Sequence, residues 1–414
     1  FTKTISYQLT PEEKYLYDQV TNYLTRRKEE ATEEKNIHVS LALAVMQRRL
    51  VSSIYAIKNT LYKRWNALQG IVDEVNKNPN IWKQRQKLEL IDVDNIDQYD
   101  DLEDDEKDAL DNILSDPKKF KLFTTSKSLA EIANEAQEVK RLYDITNHLY
   151  NQNQEEKKYI QLKELLKSQG VINGQKLVIF TEHKDTLTYL QERLTNNGYK
   201  VSVIHGGLSV DERRAAQWEF MSPETQILIA TDAAGEGINL QFCRLLINWD
   251  IPWNPNRLEQ RMGRIHRYGQ KEDVLVFNLV ADNTREGQVL AKLLNKLDII
   301  RESMGDDRVY DVIQDVLKDV SLEAIIASVF DGKESDLDRF LAQNNQEIEK
   351  EFKCQIEAQQ KAIAHSPVDY KDARLLKEDS DEKRLQPIYI QLFFERTFKY
   401  LGGRYENVQK GIYK

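Results

Sequence analysis

Cysteine is almost missing from this chain. Cys243 and Cys354 are its only two, and they lie far apart without the close spacing of metal ligands. That excludes a disulfide framework and a cysteine-based metal centre, and the expectation is two free thiols of a cytoplasmic protein. No apolar run approaches the roughly 18 residues of a membrane span. The opening residues, Phe1-Thr2-Lys3-Thr4, have neither a signal-peptide pattern nor a start methionine, so the expectation is a soluble piece of a longer chain. No Gly-x-x-x-x-Gly-Lys-Ser/Thr phosphate loop occurs anywhere. The chain therefore lacks the backbone cradle that holds nucleotide phosphates. A repeat of fixed period is absent as well.

What is present is charge and enough apolar content to fill a core. With 414 residues, 40% of them hydrophobic, the chain is long enough for two to three domains. Its net charge of -9 argues against a partner that is itself a polyanion, until the distribution is examined. Between Asp92 and Asp116 twelve acids face one base, Lys107, a local charge of -11 that leaves the rest of the chain near +2. Overall charge therefore does not exclude a nucleic-acid face. The acidic run reads as a solvated insertion ahead of Pro117.

Along the chain, Ser6 to Leu9 suggests a short strand. Thr10 with Glu13 forms a capping box, with Pro11 at the first helical position of a helix to about Lys35. A second helix is expected over about Val39 to Asn66, from the spacing of Leu41, Leu43, Val45, Leu50, Ile54, Ile57 and Leu61. Ile71 to Asn76 contains Val72-Asp73-Glu74, which imitates a metal-binding acid pair; with no phosphate loop upstream it reads as an amphipathic helix end. Helix is expected again from about Leu129 to Gly170. From there strand and helix alternate: Lys176–Phe180, a helix to Asn197, Lys200–Ile204, a helix opened by the capping box Ser209/Glu212, and a last strand over Asp273–Val280. That alternation argues a parallel α/β sheet with functional loops at the strands' carboxyl ends. His183 and His205 lie in two such loops, but no third ligand accompanies them, and no metal site is expected.

The densest stretch is Ile227 to Gln270. The apolar run Ile227–Ala230 reads as a buried strand, and Thr231-Asp232-Ala233-Ala234-Gly235-Glu236-Gly237 follows as a turn whose glycines admit a phosphate or ribose close to the backbone. Cys243 to Asn248 reads as another buried strand. Asn254 is a candidate N-cap with Pro255 at the first helical position. The helix beyond carries Arg257, Gln260, Arg261, Arg264 and Arg267, and if it persists to Arg267, then Gln260, Arg264 and Arg267 share one face. Converging guanidinium groups are what charge stabilisation of a transferring phosphoryl group requires. Gly263, a poor helix former, suggests a close approach there.

The runs Trp249-Asp250-Ile251-Pro252-Trp253-Asn254-Pro255 and Glu259-Gln260-Arg261-Met262-Gly263-Arg264-Ile265-His266-Arg267-Tyr268-Gly269-Gln270 resemble motifs V and VI of superfamily-two helicases, and within them the Swi/Snf family of ATP-dependent DNA translocases. The resemblance is strong over 176–282. Weaker likeness joins Leu50 to Leu61 to the segment linking two lobes in bacterial members, the RNA-polymerase-recycling ATPases and the DISARM phage-defence helicases. Arg384 to Gly403 is similar to the latter. The resemblance implies a second RecA-like lobe at 171–284, between a helical linker region with its acidic insertion at 1–170 and a helical C-terminal region at 285–414. It also implies a missing first lobe that holds ATP and Mg²⁺, and double-stranded DNA as partner. Within the motifs, Arg264 and Arg267 match the arginines that reach the γ-phosphate, with Gln260 beside them. Gly237 and Asn239 match ribose and nucleotide contacts, Glu236 pointing away from the phosphates. Thr181, Lys184, Gly206 and Thr231 match contacts to the nucleic-acid backbone. Trp253 matches a tryptophan coupling DNA contact to hydrolysis, or else is a core or lobe-interface aromatic. Two other readings stand beside this one: an RNA helicase or RNA-polymerase remodeller, and a non-catalytic scaffold on the same fold.

Overall fold

Leu177–Thr181, Ile227–Thr231 and Leu245–Asn248 are buried along their whole length. Uninterrupted apolar runs become central strands when both faces of a parallel sheet are covered. In the computed structural model they are β2, β4 and β5 of a six-stranded, all-parallel sheet, completed by β1 (Thr2–Tyr7), β3 (Val201–Ile204) and β6 (Leu275–Ala281) in the order β1-β6-β5-β2-β4-β3. The residues described are 2–33, 37–77, 124–126, 128–152, 155–232, 240–252, 255–265, 273–292, 294, 407–409 and 412–413. The acidic run, and the stretches 67–170 and 384–403 in part or whole, fall outside them.

Side chains alternate across the sheet. Leu177, Ile179, Ile227, Ile229, Leu245 and Ile247 face one core, with Tyr159, Leu162, Leu166, Leu187, Leu190 and Leu194 of α5 (Lys157–Ser168) and α6 (Lys184–Asn196) against them. Val178, Phe180, Leu228, Ala230 and Leu246 face the other, with Phe220 of α7 (Val210–Met221) and Ile265 just beyond α8 (Pro255–Met262). The expected parallel α/β sheet is what the structure has, here with helices on both faces, and the Ser209/Glu212 capping box is formed as read.

Ahead of the sheet stand α1 (Pro11–Glu33), α2 (Ile37–Ser52), α3 (Ile54–Lys77) and α4 (Leu129–Asn151). They share a core of their own, which includes Leu16, Val20, Tyr23, Leu43, Met46, Ile57, Leu61, Leu68, Ile71, Ile132, Val139 and Leu142. Thr10 and Glu13 bond reciprocally as the α1 capping box. The Asp73-Glu74 pair lies in the last turns of α3, between buried Ile71 and Val75, as an amphipathic helix end.

Three boundaries differ from the sequence expectation. The first strand is Thr2–Tyr7 rather than Ser6–Leu9, because the Asn283 amide clamps Leu9 by both its N–H and its carbonyl and takes it off the ladder. The single helix expected over 39–66 is two. Ser53 Oγ accepts from Ala56 N as the cap of α3, and Lys158 Nζ binds the carbonyls of Val51 and Ser52 at the end of α2. The helix expected over 129–170 is interrupted between Asn151 and Lys157.

The N-terminal region is not separate from the sheet, since β1 pairs with β6 over its whole length. Compactness divides the chain into Phe1–Asn344 and Asn345–Lys414. In the second unit the described residues form an antiparallel pair, β7 (Asn407–Gln409) with β8 (Ile412–Tyr413). Among the described residues no helix is long and apolar enough to cross a membrane.

Candidate functional site

The carboxyl ends of parallel strands collect loops on one edge of the sheet, where such folds bind ligands. Thr181 ends β2, Thr231 ends β4 in register with it, and Asn248 ends β5. The turn His205-Gly206-Gly207 leaves β3. A Cβ placed on Gly207 would lie 3.6 Å from Lys184 Nζ and 3.4 Å from His205 Nδ1, so the amine of Lys184, at the exposed first position of α6, lies over this turn. Arg213 braces the same turn through the carbonyls of Gly206 at 2.6 Å and Leu208 at 3.0 Å.

The four expected backbone-contact residues thus divide in two. Lys184 and the turn at Gly206 meet at one end of the edge. Thr181 and Thr231 are buried, and the Thr181 hydroxyl donates to Asp250 at 2.6 Å. Their side chains serve the lobe's interior, which leaves contact with a phosphate to the loops that follow them.

Helix α8 is seated by Arg261, not by the arginines singled out in the sequence. Its guanidinium grips Asp232 with two nitrogens, Nη2 at 2.8 Å, and Nη1 donates to Asn248 Oδ1 at 3.0 Å and to the Asp250 carbonyl at 2.6 Å. Only 2% of the Arg261 side chain is exposed, so it is unavailable to a ligand. Burial works against its charge, but Asp232, Asp250 and Glu182 outweigh that and raise its pKa. Nothing in the sequence separated Arg261 from its neighbours except its four-residue spacing from Arg257, which lies 4.0 Å from the same Asp232.

Gln260 is exposed on α8 and Arg264 is half-buried. The helix does not persist to Arg267. It ends at Met262, and Arg264 N and Ile265 N turn back to the carbonyls of Arg261 and Met262. Gly263 weakens the helix at that point, Ile265 turns into the core, and Leu240 N captures the Arg264 carbonyl at 3.1 Å. The condition on which Gln260, Arg264 and Arg267 would share one helical face is therefore not met. The Leu240 bond instead ties the arginine turn to the chain leaving the glycine-rich stretch. Gly237, Asn239, Trp253 and Arg267 lie outside the described residues.

A second polar cluster escaped the sequence reading. Asp250 follows β5 and is buried, yet its carboxylate accepts from Thr181 Oγ1, Ser52 Oγ at 2.8 Å, Glu182 N at 3.1 Å and Lys158 Nζ at 3.0 Å. Burial alone would raise its pKa; Lys158, His183 and the Thr181 hydroxyl bring it below the ordinary value. Nearby, Arg48 pairs with Glu182 at 2.8 Å and Arg49 with Asp185 at 2.7 Å, joining α2 to the β2–α6 loop and to the first turn of α6. Partners 68 to 198 residues apart leave no short-range signal.

The donor set at this edge is cationic and suits phosphate oxygens. Among the described residues no three His, Cys, Asp or Glu side chains gather where a metal ion would need them. The exposed Lys184 and the half-buried Arg264 carry the charge that fits phosphate oxygens.

Residues 157–269 match the family described as "Helicase conserved C-terminal domain". The chain is 41% identical over 158 residues to the "Uncharacterized ATP-dependent helicase YqhH" of Bacillus subtilis, a match covering 38% of this chain and 27% of that protein. It is 32% identical over 189 residues to the "RNA polymerase-associated protein RapA" of Vibrio parahaemolyticus, covering 44% of this chain and 18% of that one. The chain thus spans about a quarter or less of the length of these curated relatives. Among solved structures, the C-terminal part of the Fun30 ATPase domain is similar with a TM-score of 0.41 at 19% identity, covering 70% of this chain and 87% of that one.

Proposed function

We propose, from the match of residues 157–269 to the helicase conserved C-terminal domain, that this chain is the second lobe of an ATP-driven double-stranded-DNA translocase of superfamily two. In this reading Arg264 and Arg267 stabilise the charge of the phosphoryl group in transfer, with Gln260 beside them. Gly237 and Asn239 meet the nucleotide. Lys184 and the Gly206 turn hold the DNA backbone, and Trp253 links that contact to hydrolysis. ATP and Mg²⁺ would be held by a first lobe of the same protein. When bound, the Mg²⁺–nucleotide would supply the phosphoryl group and neutralise its developing charge. What this lobe's own residues do is orient and stabilise.

The observation that carries the reading is the seating of the arginine turn. Arg261 locks α8 to Asp232, and Leu240 holds the Arg264 main chain beside the glycine-rich stretch. A half-buried Arg264 on a rigid mount is preorganised for charge stabilisation. Backbone contacts predict binding that is salt-dependent and largely blind to sequence. In the longer protein, Arg264→Ala is expected to lower kcat by about 10³ while ATP affinity changes little. This chain alone is expected not to hydrolyse ATP. Turnover by the isolated chain, or near-normal turnover by Arg264→Ala, would overturn the assignment. Comparing stimulation by duplex DNA and by RNA settles the substrate. The RapA relative, named for association with RNA polymerase, supports a second reading as a polymerase-remodelling ATPase; co-purification with RNA polymerase core would favour it.

A further inference from the structure

We propose that Asp250 is a positioning residue that couples the break between α2 and α3 to the arginine-bearing helix α8, so that nucleic-acid-stimulated turnover depends on the state of that break. The inference rests on the ATPase reading above and adds a residue to it.

Asp250 faces two ways. Its carboxylate belongs to the break: Oδ2 accepts from Ser52 Oγ at 2.8 Å, and Oδ1 from Lys158 Nζ, which also holds the Val51 and Ser52 carbonyls. Its main-chain carbonyl belongs to α8, accepting from Arg261 Nη1 at 2.6 Å. One residue thus touches the break and the seat of the arginine turn, with nothing between. The neighbouring Trp249 reinforces the first contact, its indole donating to the Ser52 carbonyl at 2.9 Å with the Lys158 amine 4.7 Å from its ring centre.

An ionised carboxylate only accepts, which fixes the order of the hydroxyls around it. Ser52 donates to Asp250, Thr186 then donates to Ser52 at 2.7 Å, and Ser53 to Thr186 at 2.9 Å. Of the two serines, Ser52 is the one in direct contact with Asp250, whereas Ser53 is three hydrogen bonds away and caps α3. The helices on either side of the break are rooted in their own core, distinct from the two cores of the sheet. Rotation of that bundle against the sheet would load the Ser52–Asp250 contact, and the load would reach Arg261 through the Asp250 main chain.

The two serines make a matched pair, since each removes one buried hydroxyl. Losing a hydrogen bond to a buried charge changes an equilibrium by about tenfold or more. In the longer protein, Ser52→Ala is expected to lower DNA-stimulated kcat by about tenfold with KM for ATP within about twofold, and Ser53→Ala to stay within about twofold of wild type. In this chain, Ser52→Ala is expected to speed amide exchange over residues 255–265, and Ser53→Ala to leave it unchanged. Equal kcat losses in the two variants, or unchanged exchange over 255–265 in Ser52→Ala, would show the cluster to be purely structural and overturn the proposal. If wild type itself shows no nucleic-acid-stimulated hydrolysis, the ATPase reading fails and takes the proposal with it. If wild type turns over and Ser52→Ala equals it, the coupling alone is refuted.

Discussion

Two arginines three residues apart have opposite fates. Arg261 has four hydrogen bonds inside the fold, and Arg264 is half-exposed on the turn that follows. Removing one partner of a buried ion pair leaves an uncompensated charge and costs about 3–5 kcal/mol. Arg261→Met is therefore expected to cost this chain that much in urea unfolding. Adding Asp232→Asn should return part of the loss, because the stranded carboxylate is gone. Arg264→Ala should cost less than Arg261→Met in the same assay, because its side chain is half-exposed and so only partly desolvated. If Arg264→Ala proved as destabilising as Arg261→Met, it would be a brace too and could not be assigned to the phosphoryl group.

At the level of elements, helix ends are where this fold concentrates buried charge. Glu156 precedes α5, but its carboxylate accepts from Ile54 N at the start of α3, and Glu13 of α1 accepts from Lys157 N. Burial, then the nearby Glu13, push the Glu156 carboxyl up from its ordinary 4.5 to about 8 against the pull of Lys158, Ile54 N–H and Arg193. Between those two values the folded chain keeps this proton and the unfolded chain loses it, so this group's contribution to stability falls as pH rises from about 5 to 8. One proton corresponds to about 1.4 kcal/mol per pH unit. Glu156→Gln should flatten that slope, as measured by denaturant unfolding at three pH values across the window; an unchanged slope would mean that Glu156 is ionised in the fold. Glu135 has the opposite sign. It is buried too, yet Arg64, Arg27 and the Thr124 and Ser126 hydroxyls hold its carboxyl down to about 2. Its contribution is present above the ordinary value and is lost as pH falls through about 2.

Across the whole molecule, the sheet is completed by its most distant strand. β1 covers the edge of β6, and Ile5 and Tyr7 enter the same core as Phe277 and Leu279. Tyr17 and Gln47 reach Glu286 just beyond β6, a second long-range tie between the helices and the lobe. An uncovered edge strand is a template for pairing with another chain. Deleting residues 2–7 should therefore turn the chain toward self-association, seen as a rise in mass by light scattering after size exclusion. A monodisperse deletion variant would show that β6 does not need its partner.

The sequence by itself determined the class of the sheet, the positions of β2 to β6 within one or two residues, both capping boxes and the stretch that carries the arginines. Each of these is written in contiguous residues, as apolar runs, turn glycines or caps three residues apart. Tertiary structure alone decided that α2 and α3 are separate, because the apolar period runs unbroken through Ser52-Ser53 and only Lys158, Thr186 and Asp250 reveal the break. It alone made Arg261 the brace of α8, since Asp232 and Asn248 approach it from two other strand ends. It alone made Asp250 a meeting point: a carboxylate is tolerated in a protein interior only when donors converge on it, and here they come from α2, α5 and β2.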